Sequence, residues 1–172
     1  MALTVNGAKS LRPAPGLGTH SHALLKFSEA AAQTFLKGCP VVFTSGGTTV
    51  EEDTSDPQPI VGVADHNASG TTSDPVLVVP AIPSYTFDGI LGNGDLTDYT
   101  LLAADVGDVY GLARDATNKG WFVDKQETTN VRVRVVGLKD AAGTVNGRVY
   151  FTFLTVAVIG GTTTPISALA AA

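Results

Sequence analysis

The chain is 172 residues long with a formal net charge of -5, which allows one compact domain with a short arm and argues against a general nucleic-acid binder. The hydrophobic fraction is 44% with mean hydropathy +0.19, values that exclude an intrinsically disordered chain. Charged residues make up only 16%, against about 25% in an average globular domain, so much of the surface is suited to being covered.

The first 21 residues read as an arm. Arg12-Pro13-Ala14-Pro15-Gly16-Leu17-Gly18 is incompatible with a helix and favours extended geometry. Leu3, Val5, Leu11 and Leu17 are its apolar anchors, and Lys9 and Arg12 its charges. Met1-Ala2-Leu3-Thr4 lacks the basic and apolar regions of a signal peptide, so a cytoplasmic site of synthesis is the expectation.

Strand signals follow. Ala23–Phe27 is a short apolar run, and Ser28 before Glu29-Ala30-Ala31-Ala32-Gln33 has the pattern of a capped helical turn. Val41–Thr44 and Thr48–Val50 flank Ser45-Gly46-Gly47 and predict a hairpin. Ile60–Ala64 and Pro75–Val79 are apolar almost throughout, as expected of strands buried on both faces, and the polar stretch between them reads as a loop. Ser84–Phe87 alternates. Asp108–Leu112 and Gly120–Asp124 flank a turn at residues 115–119. Val131-Arg132-Val133-Arg134-Val135 alternates without a break, so its valines should face the core while Arg132 and Arg134 share the outer face. Asn146-Gly147 is the strongest local hairpin signal, ahead of the longest strand candidate, Arg148–Val156. Residues 160–172 are rich in Gly, Thr and Ala and read as a loose tail. Strands at intervals of 10–15 residues, with turns between, predict an all-β fold. The expected architecture is a compact β-barrel or β-sandwich over residues 22–159 with an extended N-terminal arm. No internal repeat is evident.

Charge is segregated along the chain. Residues 1–40 balance to +3, residues 41–113 contain no Lys or Arg and balance to -11, and residues 114–172 balance to +3. Either opposite charges meet on folding, or an acidic face is presented to a basic partner.

Catalytic and metal-binding patterns are weak. A single Cys39, beside Pro40 and an apolar run, is expected to be a buried core residue. His20 and His22 share one face of an extended chain, but no third metal ligand is evident, and His66 reads as a loop residue. Gly92-Asn93-Gly94-Asp95-Leu96-Thr97-Asp98 has closely spaced oxygen ligands without the full calcium-loop spacing. No nucleophile elbow or phosphate-binding loop is present, and Arg132 and Arg134 lack the interleaved aromatics of a nucleic-acid platform. The reading is a non-enzymatic protein that needs no metal or cofactor.

Three segments carry a family likeness: KFSEAAAQTFLKGCPVVF at 26–43, IVGVADHNASGTTSDPVLVVP at 60–80, and residues 107–154, which include Val136-Gly137-Leu138-Lys139-Asp140. Together they resemble the decoration, or cement, proteins that stabilise the heads of tailed bacteriophages. The resemblance implies a structural virion protein that is made in the bacterial cytoplasm and binds the outside of the assembled capsid, holding the shell against internal DNA pressure. It implies the major capsid protein and further copies of itself, as a dimer or trimer, as partners, without nucleic acid or membrane. That family offers no established site residues to carry over. The candidate contacts are therefore those the residues themselves suggest: Leu3, Val5, Lys9, Leu11, Arg12 and Leu17 in the arm, and Arg132 and Arg134 on their strand. A carbohydrate-binding or adhesive β module is the rival reading, with Trp121, Tyr85, Tyr99, Tyr110 and Tyr150 as candidate platform aromatics.

Overall fold

A computed structural model describes residues 11–14, 23–44, 49–52, 60–94 and 98–154. The described residues form eleven strands and one short 3-10 turn, Ala103–Asp105, with no α-helix. The strands are β1 (Arg12–Pro13), β2 (Leu25–Glu29), β3 (Pro40–Phe43), β4 (Thr49–Glu52), β5 (Ile60–Ala64), β6 (Pro75–Pro80), β7 (Thr86–Gly92), β8 (Val109–Arg114), β9 (Trp121–Asp124), β10 (Val133–Leu138) and β11 (Arg148–Phe153).

Strands β2 to β6 close into a barrel in the order β2-β4-β3-β5-β6. Strands β1 and β7 to β11 form a six-stranded sheet in the order β1-β7-β11-β10-β8-β9, curled by a two-residue parallel β7–β9 pairing. The two units have the same topology. In each, the first strand runs parallel to the third (β2–β4, β7–β9) and antiparallel to the fifth (β2–β6, β7–β11). In each, the second strand pairs antiparallel with the third and fourth (β3 with β4 and β5, β8 with β9 and β10), and the fourth pairs with the fifth. The fold thus contains an internal repeat that the residues do not advertise. A β topology is set by which positions face inward and how long the turns are, and many unrelated sequences satisfy both.

Barrels of five strands are narrow, and side chains fill them. Val41, Ile60, Val63, Val76 and Val78 line the first, each at most 1% exposed. Phe87, Phe151 and Phe153 pack in the second with ring centroids 5.0–5.9 Å apart. One continuous cluster of buried apolar side chains includes residues of both units. Cys39 belongs to it, at 2% exposure, as its apolar setting predicts.

The hairpin expected around residues 45–47 is present as β3–β4, with Phe43 opposite Val50. Strand β5 is buried throughout, as its unbroken apolar run requires, and β8–β9 form the hairpin expected around residues 115–119. Two local expectations fail. The capped helical turn after Ser28 is not formed: Glu29 ends β2, and its buried carboxylate accepts N–H bonds from Ser69 (2.8 Å) and Gly70 (2.6 Å). The acid that would have served a helix start instead fastens the loop that leads into the neighbouring strand β6. Asn146-Gly147 does not make a two-residue hairpin. Asn146 has φ +50°, but it sits at the end of a longer β10–β11 connection, where its side chain accepts from Tyr99 N–H (3.1 Å) and donates to Asp98 (3.0 Å).

Candidate interaction surface

Residues 11–14 join the barrel to the second sheet. Arg12 and Pro13 pair antiparallel with Asp88 and Phe87 of β7, and Ala14 N–H donates to Thr86 O at 3.0 Å. Leu11 N–H donates to Gly38 O, in the first barrel, at 3.2 Å. The Leu11 side chain is 1% exposed and lies over Gly89, where an added Cβ would sit 3.0 Å from Leu11 Cδ2 and 3.2 Å from the Phe151 ring. Glycine at that point on β7 is what lets Leu11 reach the core. Leu11 is therefore a structural anchor, which corrects its expected role as a contact with another molecule. Arg12 beside it is exposed. Leu3, Val5, Lys9 and Leu17 lie outside the described residues, as do His20 and His22.

Arg132 is also corrected. Its neighbours Val131, Val133 and Val135 do face inward, at 8%, 0% and 0% exposure, but Arg132 is itself only 4% exposed. The reason is the segment 125–130, which folds over β8. Gly111 N–H donates to Glu127 O at 2.8 Å, and an added Cβ on Gly111 would collide with the Glu127 side chain and lie 3.2 Å from Asn130 O. Only glycine admits the covering segment. Beneath it, Arg132 N–H donates to Tyr110 O (2.7 Å) and Arg132 Nη1 to Val131 O (3.1 Å). Alternation gives the direction of a side chain, not what a distant loop lays on top of it. Arg134 is exposed, as expected, and its Nη1 donates to Gly107 O at 2.7 Å.

That bond, with Gly107 N–H to Val135 O at 2.9 Å, fastens the turn at 103–107 beside β10. Val106 (44% exposed) and Val136 (43%) come to the same region as Arg134, and Leu102 (49%) enters the turn from its other end. This apolar area with a cation at its edge has the make-up of an interface surface.

Two ionic clusters brace the second unit. Asp88, 1% exposed, is bonded by Arg148 Nε, and Lys139 Nζ lies 3.1 Å away. Asp105, also 1% exposed, accepts from Lys125 Nζ (2.6 Å), Tyr99 Oη (2.8 Å) and Leu102 N–H (2.8 Å). Burial pushes the Asp105 carboxyl up, but these donors outweigh it and hold the group below its ordinary value. Burial pulls Lys125 down, but its bonds to Asp105 and Tyr99 prevail and raise it. Lys125 Nζ also lies 4.6 Å from the Tyr99 ring centroid. With Lys37–Asp65 at 3.0 Å, these pairs join acids of the cation-free stretch to lysines and arginines of the chain's two ends. Part of the charge segregation is thus settled within the fold.

Two of the candidate platform aromatics, Trp121 and Tyr110, are buried at 0% and 4% exposure. The Tyr99 hydroxyl is engaged with Asp105, and that of Tyr85 accepts Ala23 N–H at 3.2 Å. Among the described residues no group of three or more His, Cys, Asp or Glu could hold a metal ion, and no helix is long and apolar enough to cross a membrane. No protein-family model matches the chain, and no curated protein sequence matches it.

Proposed function

We propose that this is a structural virion protein that binds the exterior of an assembled bacteriophage capsid as a non-enzymatic cement. The observation that carries the reading is where the three family-like segments fall. Residues 26–43 cover most of β2 and all of β3, residues 60–80 span β5 and β6, and residues 107–154 span β8 to β11, so the likeness runs through the barrel and the second sheet. A cement protein needs a rigid, turn-rich body and surfaces that are finished only on assembly. Each interface on a shell can be modest, because binding the mature lattice and not its separated parts stabilises it by mass action. The surface assigned to the shell is the exposed apolar area of Leu102, Val106 and Val136 beside Arg134.

The test is to mix the purified protein with expanded capsids that lack it, then measure co-sedimentation and the capsid melting temperature. Binding with a raised melting temperature supports the proposal, and Val136→Asp together with Arg134→Glu should weaken it. No co-sedimentation and no thermal shift would refute it.

A further inference from the structure

Three asparagines in the chain are followed by glycine: Asn6, Asn93 and Asn146. Such a pair can lose ammonia unaided, because glycine has no side chain to hinder attack by its nitrogen on the amide carbon of the short side chain before it. Asn6 lies outside the described residues. At Asn93 the attacking nitrogen is itself engaged, since Gly94 N–H donates to Asp124 Oδ1 at 2.9 Å. Asn146 is held in another way.

Residues 143–146 lie along residues 99–101. Gly143 N–H donates to Leu101 O (2.8 Å), Leu101 N–H to Thr144 O (2.9 Å) and Asn146 N–H to Tyr99 O (2.7 Å), and Thr100 pairs with Val145. The Asn146 side chain completes this clasp: its Oδ1 accepts Tyr99 N–H (3.1 Å) and its Nδ2 donates to Asp98 Oδ1 (3.0 Å). A peptide N–H only donates and a carboxylate only accepts, so the amide has one orientation there. Gly147 is buried under Leu101, where an added Cβ would sit 2.5 Å from Leu101 Cδ1, and its carbonyl accepts Leu91 N–H at 3.0 Å. The amide and the peptide it would have to meet are thus fastened separately, one to residues 98–99 and the other to β7.

We propose that Asn146 is a deamidation site which the clasp holds in check. Gly147 N attacks Asn146 Cγ, and the new C–N bond closes a cyclic imide. The Cγ–Nδ2 bond breaks, and Nδ2 leaves as ammonia with the proton that Gly147 N gives up. Water then opens the imide at either carbonyl, leaving aspartate or isoaspartate. Ring closure draws Cγ away from Tyr99 and Asp98, so in the folded chain the rate follows the fraction of time the clasp is open. The product cannot restore the clasp, because a carboxylate in place of the Nδ2 donor meets the Asp98 carboxylate. The loss passes to Tyr99, whose hydroxyl donates to Asp105 in the turn at 103–105. This inference does not depend on the capsid reading, and its test uses no capsid.

The full chain is held in mildly alkaline buffer, folded or in urea, and digested with trypsin at intervals. Cleavage after Lys139 and Arg148 releases residues 140–148, in which Asn146 is the sole asparagine. Mass and retention separate the amide from its two products. Conversion should proceed in urea and be about tenfold or more slower in the folded chain. Asp98→Ala removes the acceptor of Nδ2 and should speed conversion in the folded chain about two- to tenfold, with the rate in urea unchanged. Asp98→Asn keeps an acceptor oxygen and should stay near wild type. Asn146→Asp, a mimic of one product, should speed hydrogen exchange at Leu101 N–H. No conversion in urea, equal rates folded and in urea, Asp98→Ala at the wild-type rate, Asp98→Asn as fast as Asp98→Ala, or unchanged exchange in Asn146→Asp would each overturn the proposal.

Discussion

The substitution Leu11→Ala separates an arm that is merely attached from one that is part of the body. Leu11 is 1% exposed and lies over Gly89, beside the core that holds Phe151, while its N–H is bonded to Gly38. Truncating it removes three carbons from a packed site and leaves a cavity walled by β7 and β11. Leu→Ala changes at such sites cost about 2–5 kcal/mol, and the flanking glycine, which cannot shift a side chain into the hole, argues for the middle of that range. For a chain of this length about 3 kcal/mol corresponds to a fall in Tm of about 6–12 °C. Differential scanning calorimetry measures it directly. A Tm within 1 °C of wild type (about 0.3 kcal/mol) would refute the packing argument and return Leu11 to the role of a surface contact.

Asp105→Ala strips the acceptor from Lys125, Tyr99 and Leu102 N–H, and should cost about 3 kcal/mol; Lys125 is partly exposed, which keeps the loss at the lower end of the range for buried pairs. Asp105→Ala with Lys125→Met should cost less than the sum of the two single changes, and strict additivity in urea unfolding would show that the pair is not coupled. The folded-state carboxyls of Asp105 and Glu127 lie below their ordinary values, so the stability they contribute is present above about pH 4 and is lost as pH falls through the depressed values; a Tm that rises on acidification from pH 5 to pH 3 would contradict this. Gly111→Val should lift segment 125–130 from β8 and uncover Arg132, seen as new tryptic cleavage after that residue, whereas unchanged resistance would mean that something else buries it.

How much of this was legible in the residues depends on range. Apolar runs and turn residues placed β3, β5, β6, β8 and β9, because a strand's burial pattern and its flanking turns are written within a few residues. The alternation at 131–135 correctly aimed three valines inward. It failed for Arg132 because the covering segment is held by Gly111, a position inside a strand with no local signal except the absence of a side chain. Leu11 was misread for a similar reason. An apolar residue in a proline-rich arm looks available to a partner until β7 is seen to pass beneath it with a glycine at the crossing.

The sequence by itself determined an all-β chain of short strands, a buried lone cysteine, and an uneven spread of charge along its length. The tertiary structure decided that the strands form a five-stranded barrel and a curled sheet of one topology, that Asp88, Asp105 and Asp65 meet cations from the chain's ends, and that residues 12–13 add a strand to the sheet beside β7. The division has a physical cause. Local periodicity dictates which face of a strand is apolar, but which strands lie side by side is decided by closure and packing between segments tens of residues apart, where turn length and a single glycine outweigh composition.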